Sequence, residues 1–131
     1  MALTCIDFRF HRQVAEIFKK RGVEKFDLKC DAGGVKYLVA DEKPEIRDWI
    51  LENIKLAKEL HHIETVILIN HSDCGAYGGN EAFDSEESQF NYHKAQLLKA
   101  KTLVAGKFPS LKMQTYFALL KDGKVDLLAV D

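Results

Sequence analysis

The sequence predicts an α/β fold: a mostly parallel central sheet of about four to five strands, flanked by helices, with the last strand antiparallel. Three observations lead there. Short apolar segments of strand length alternate with longer amphipathic ones, the order expected when strands and helices are laid in turn on one sheet. Thr65 to Ile69 is an unbroken β-branched and apolar run, the pattern of a strand buried on both faces. Near the end, Asp122-Gly123 stands between two apolar runs, a hairpin signal that reverses the final strand.

The elements follow in order. Ala2 to Cys5 is a short apolar start that reads as a strand. His11 to Lys20 sets Val14, Ile17 and Phe18 at helical spacing, and Gly22 follows as a C-terminal cap. Lys25 to Cys30 alternates polar and apolar residues as a second strand, and Asp31-Ala32-Gly33-Gly34 is a turn. Pro44 opens the clearest helix, because proline is tolerated at the first helical position. Its apolar stripe of Ile46, Trp49, Ile50, Ile54, Ala57 and Leu60 is expected to face the core. After the buried strand, Asn70 to Asn80 reads as a loop and Glu81 to Glu87 as an exposed acidic segment. Phe90 to Ala105 is a third helix carrying Leu97, Leu98 and Val104, and Leu111 to Leu120 and Lys124 to Val130 are the hairpin strands.

A chain of 131 residues suits one domain, so residues 1–131 are read as a single unit, without internal repeats or low-complexity tracts. The charge balance of 19 basic and 20 acidic residues offers nucleic acid or an anionic membrane no electrostatic handle. Apolar runs such as Val66 to Ile69 are far too short to span a bilayer, and the first residues lack the pattern of a signal peptide. A cytoplasmic protein is expected. Three cysteines, Cys5, Cys30 and Cys74, argue against a disulfide framework and for thiols kept reduced.

Two segments carry chemistry. Cys5-Ile6-Asp7-Phe8-Arg9 follows the first strand, and His71-Ser72-Asp73-Cys74-Gly75 follows the buried one. In an open parallel sheet, loops leaving neighbouring strands converge at the carboxyl edge, where ligands bind at a topological switch point. Such loops would bring Cys5, His71 and Cys74 together. Thiolate and imidazole are ligands zinc prefers, and three protein ligands leave a fourth position open, the catalytic pattern. On an extended segment Asp7 and Arg9 project to the same side as Cys5. Arg9 can then hold Asp7 ionised by a bidentate pair. Asp7 would accept a hydrogen bond from water on the metal, or bind the metal itself.

These residues resemble the β-class carbonic anhydrases, whose zinc motif is Cys-x-Asp-x-Arg followed by His-x-x-Cys after a later strand. Both motifs stand intact here, and the resemblance spans nearly the whole chain. It implies Zn2+ on Cys5, His71 and Cys74, with Asp7 and Arg9 as the catalytic dyad. It implies a zinc lyase that reversibly hydrates carbon dioxide to bicarbonate by zinc hydroxide, working as a homodimer or higher homo-oligomer. Phe8 departs from the serine or alanine usual between the aspartate and arginine, and Cys30-Asp31-Ala32-Gly33 stands where the family often has Arg-Asn-Ala-Gly. The family's N-terminal helices, and a glutamine they contribute near substrate, have no counterpart in these residues.

Two other functions fit the same residues. One is a related zinc hydrolase of carbonyl sulfide or carbon disulfide, suggested by the altered surroundings of Phe8 and Cys30-Asp31. The other is a non-catalytic, zinc-stabilised interaction protein, in which Cys30 closes a four-ligand site with Cys5, His71 and Cys74. The fourth position thus belongs to water, Asp7 or Cys30. Asp73 reads as a turn-capping residue. His61 and His62 end the long helix, where its dipole favours a cation. His11 and His93 are ordinary helix histidines, with His93 a proton-shuttle candidate if it lines the mouth.

Overall fold

A computed structural model describes residues 1–131. Its elements are β1 (Ala2–Thr4), α1 (Phe8–Lys20), β2 (Leu28–Cys30), α2 (Lys36–Val39), α3 (Pro44–His61), β3 (Thr65–His71), α4 (Glu86–Lys107), β4 (Lys112–Lys121) and β5 (Lys124–Ala129). The sheet runs β2-β1-β3-β4-β5. β1 pairs in parallel with β2 and β3, β3 in parallel with β4, and β5 antiparallel to β4. The predicted fold class, including the reversed last strand, is the one observed.

β3 shows why its sequence is apolar without alternation. Val66 and Leu68 join one buried cluster with Leu38 of α2, Ile50 and Ile54 of α3 and Leu97 and Val104 of α4. Ile67 and Ile69 point the other way, onto Phe10, Val14 and Phe18 of α1. Side chains alternate across a strand, so a strand covered on both faces needs apolar residues at every position. Each such side chain contributes roughly 1.5–3 kcal/mol on full burial.

Several boundaries differ from the sequence reading, each for a physical reason. α1 starts at Phe8 rather than His11, because Asp7 is its N-cap: Asp7 Oδ1 accepts the Arg9 backbone N–H at 3.0 Å. β3 continues through Asn70 to His71, since the ten-residue β4 still offers it Phe117 and Ala118 as partners. β2 is only Leu28–Cys30, the stretch that pairs with β1. α2 was not expected, being a single turn after the Gly33-Gly34 bend. α4 begins at Glu86, where Ser85 and Ser88 cap each other reciprocally, so the acidic segment supplies its first turn.

The stripe on α3 is narrower than expected. Ile50, Ile54 and Ala57 are buried, but Trp49 is 58% and Leu60 68% exposed. At about 100° per residue those two lie roughly a quarter turn from Ile50, beyond the face that packs inward.

Candidate metal centre

The topology brings the two motif loops to one edge. β1 and β3 are parallel neighbours, so Thr4 and His71 end at the same side of the sheet. The chain leaves β1 toward β2 and reaches β3 on β1's other flank, which makes this the switch point. Ligand atoms of Cys5, His71 and Cys74 lie within 4.8 Å of one another, and all three residues are buried. The Sγ atoms of Cys5 and Cys74 are 3.9 Å apart.

His71 is prepared as a ligand. Its Nδ1 lies 2.8 Å from the Ser72 carbonyl oxygen, which can only accept. Nδ1 therefore carries a proton, and in the neutral ring Nε2 presents a lone pair. That Nε2 is buried without a hydrogen-bond partner. Phe10 packs on the ring, with centroids 4.2 Å apart, and fixes its plane. An unpaired buried acceptor costs about 1–3 kcal/mol, which a bound cation would recover.

The thiols are arranged to match. The Cys5 thiol is pushed down, first by its hydrogen bond with Cys74, then by His71 and the Gly33 N–H, against the opposing effect of burial. Cys74 is pushed up, because the same bond to Cys5 and its own burial both favour the protonated form. The pair thus gives up one proton readily and the second reluctantly. Two thiolates and a neutral imidazole complement a divalent ion, and this donor set fits zinc.

The Gly33-Gly34 bend supplies the N–H that meets Cys5 Sγ at 3.3 Å. Both glycines have positive φ, 83° and 61°. A Cβ on Gly34 would stand 2.5 Å from the Ile69 carbonyl oxygen and 2.6 Å from Asn70 Oδ1. Asn70 Oδ1 in turn accepts the Val35 N–H at 3.1 Å, which ties the bend to β3. The sequence marks these glycines as a turn, but it places Asn70 in a loop, whereas Asn70 lies within β3 just before His71.

Asp7 and Arg9 stand beside the cluster. Arg9 Nε reaches both carboxylate oxygens, at 3.0 and 3.1 Å, and Nη2 reaches Oδ2 at 2.7 Å. Arg9 holds the Asp7 carboxyl below its usual range, and Asp7 holds the guanidinium above its own. Asp7 Oδ2 is 3.9 Å from His71 Nε2. The pairing arises at a helix N-cap, not on the extended segment that the sequence suggests. Arg9 Nη1 also donates to Asp73 Oδ2 at 2.9 Å, and Nη2 to the Asp73 carbonyl at 3.1 Å.

Other candidates lie elsewhere. Cys30 is outside the clustered ligands, its Sγ 4.0 Å from His11 Nε2, and burial pushes its thiol up. His93 is fully buried, with Nδ1 accepting from Asn70 Nδ2 at 3.1 Å and Tyr77 and Phe117 around its ring, so it does not line the mouth. An open cavity of about 740 Å³ leads to the cluster, walled by Cys5, Asp7 and Arg9 on one side and Asp73 and Gly75 on the other. A second cavity, of about 550 Å³ beside His61 and Asp27, contains none of the motif residues.

Comparison with known proteins agrees with the fold. A family described as "Putative carbonic anhydrase" matches residues 1–126. An uncharacterized protein of Rickettsia conorii is 32% identical over 130 residues, covering 96% of this chain and 69% of that protein. One from Rickettsia bellii is 29% identical over 132 residues, covering 96% and 79%. Among solved structures, the β-carbonic anhydrase of Aspergillus fumigatus superposes with a TM-score of 0.62 at 12% identity, over 97% of this chain and 73% of that one. The carbonic anhydrase of Streptococcus mutans gives 0.63 at 15%, over 99% and 80%. That of Glaciozyma antarctica gives 0.59 at 16%, again over 99% and 80%. The fold is that of the β-carbonic anhydrases. The chain belongs to the putative carbonic anhydrase family, as a divergent member. No helix is long and apolar enough to cross a membrane.

Proposed function

We propose that the chain binds one Zn2+ through Cys5, His71 and Cys74 and reversibly hydrates carbon dioxide to bicarbonate. The observation that carries this reading is the unpartnered, buried Nε2 of His71, set among two thiols and facing an ionised Asp7 at 3.9 Å. Zinc held there would supply the Lewis acidity that ionises water near neutral pH. The protein's own groups do the rest. His71 presents Nε2 because Ser72 fixes its tautomer, and the Gly33 N–H steadies the charge on Cys5. Asp7, kept anionic by Arg9, can only accept hydrogen bonds. It therefore selects a hydroxyl donor in the cavity and turns that oxygen's lone pair away from itself, toward the substrate carbon. Phe10 and the buried ends of β1 and β3 exclude water from behind the cluster.

We read residues 1–131 as one functional domain, acting in the cytoplasm, where its thiols stay reduced, as a homodimer or higher homo-oligomer. The experiment is zinc analysis with stopped-flow hydration. One zinc per chain and hydration above the buffer rate are expected; no such rate at full zinc occupancy defeats the proposal.

One feature favours a second reading. Phe8 is 86% and Ile6 59% exposed, and both line the cavity. This apolar mouth suits carbonyl sulfide or carbon disulfide, whose hydrolysis releases hydrogen sulfide. Sulfide release exceeding carbon dioxide turnover would favour it.

A further inference from the structure

Asp73 stands between two proposed ligands, and the chemistry above leaves it without a task. It sits in the left-handed region at φ 55°. Its Oδ1 accepts the Asn80 N–H at 3.0 Å, which closes the turn after Cys74. The other oxygen, and the carbonyl, take two donors of Arg9. Turn geometry accounts for the first contact. It does not account for the rest.

The guanidinium is a planar fork with fixed donor directions. One edge of Arg9, Nε with Nη2, lies on Asp7 from the loop after β1. The other side, Nη1 with Nη2, lies on Asp73 from the loop after β3. Arg9 therefore spans the two loops that converge on the cluster. The N-cap bond from the Arg9 backbone holds Asp7 Oδ1, while the side-chain bond of Arg9 to Asp7 reaches only two residues along the chain. Arg9 is 33% and Asp73 40% exposed, so the fold does not wedge either in place. What ties the Arg9 end of the pair, and with it Asp7 Oδ2, to the His71–Cys74 loop is the contact across to Asp73.

We propose that Asp73 is a positioning residue: by holding Arg9 from the opposite loop, it sets the place of Asp7 Oδ2 relative to the metal cluster. This deepens the proposed function, since it presumes that Asp7 acts there. Aspartate and asparagine both tolerate left-handed backbone, so one residue serves the turn and the anchor.

The test is Asp73→Asn, which keeps an Oδ1 acceptor for Asn80 and removes the charge facing Nη1. Nitrogen NMR of the Arg9 side chain reads the anchor directly. With Nη1 held by the Asp73 carboxylate and Nη2 by Asp7 and the Asp73 carbonyl, rotation about the Nε–Cζ bond is slow and the two nitrogens give separate signals. In D73N, where only the carboxylate bond to Nη1 is weakened, exchange between the two signals should be faster; an unchanged exchange rate overturns the proposal. Substitution with Co2+ reads the consequence. The visible absorption bands should differ between the native and D73N proteins, and D7N/D73N should match D7N alone. Identical native and D73N bands overturn the proposal. Hydration kcat/KM should fall about 10-fold in D73N at unchanged zinc content, the lower end for loss of an outer-shell partner. Failure to bind Co2+ or zinc would instead strike at the metal reading, leaving the NMR result to decide the anchor.

Discussion

Asp7 Oδ2 faces Nε2 of His71 across 3.9 Å, and with the imidazole neutral both atoms are acceptors. Arg9 keeps the first anionic, and the Ser72 carbonyl accepts the Nδ1–H, so that in the neutral ring the lone pair lies on Nε2. Two acceptors directed at one gap call for a cation or a proton donor between them. This relationship separates the candidate centre from a pair of buried cysteines that merely fill space.

Replacing Asp7 tests the division of labour. Asp7→Asn should still bind one zinc per chain, because Asp7 is beside the clustered ligands. Hydration should drop about 100-fold, the range for loss of a positioned proton acceptor. Zinc analysis and stopped-flow on the same sample give both values. Loss of zinc together with activity would make Asp7 a ligand.

Replacing a ligand should act on stability as well as occupancy. Cys74→Ser and His71→Ala should each reduce zinc well below one per chain. Chelating the native protein should lower its melting temperature, since a ligand free at a thousand times its Kd adds about 4 kcal/mol to the folded state. Chelation should leave the melting temperature of either variant unchanged. Calorimetry with and without chelator reads the difference.

Much of this was legible in the sequence. The run Thr65 to Ile69 revealed a strand buried on both faces because such burial leaves no polar position. Asp122-Gly123 revealed the final hairpin because type I′ turns need residues that accept positive φ. Cys5, His71 and Cys74 were readable because ligand chemistry depends on side-chain type and because strand ends meet at a sheet edge. Asp73 and Asn70 were not read as parts of the site. Their roles lie in hydrogen bonds across 64 residues to Arg9 and across 35 to Val35, which no local pattern records. Trp49 misled for the reciprocal reason: helical periodicity identifies a face, but tertiary packing decides how much of it is covered.

Gly34 should be intolerant of any side chain. Gly34→Ala would meet the Ile69 carbonyl at 2.5 Å while held at φ 61°. A loss of about 2 kcal/mol or more is expected, from backbone strain and the clash together. Gly22→Ala is the control, with φ 81° but nothing within 4 Å of the new Cβ. It should lose only about 1 kcal/mol, the cost of left-handed backbone alone. Urea unfolding of both variants separates conformation from collision. Equal losses would mean that the contact at Gly34 carries no weight.

His93 predicts a pH dependence with a definite sign. Burial, and then the neighbouring His71, push its imidazole from 6.5 down to about 4. The unfolded chain therefore binds the proton more readily. The stability His93 contributes is complete above about pH 6.5 and is lost as pH falls toward 4. The gap is worth about 3 kcal/mol. Urea unfolding of the chelated protein should weaken across that window, and less steeply in His93→Gln. Equal slopes would mean that the folded protein accommodates the charged imidazole.

Cys30 decides whether the centre is open or closed. A fourth thiolate would complete a structural site and leave no position for substrate. The geometry argues otherwise. Cys30 pairs beside Thr4 on β2, yet its sulfur turns toward His11 at 4.0 Å and stays outside the clustered ligands. Burial and the nearby Asp31 charge both disfavour its thiolate, the form that binds metal. Cys30→Ser should therefore retain one zinc per chain with the native Co2+ absorption, whose sulfur-to-metal charge-transfer intensity counts the thiolates bound. Two thiolates in both proteins are expected. A drop from three to two in the variant would make Cys30 a ligand and the centre a structural one.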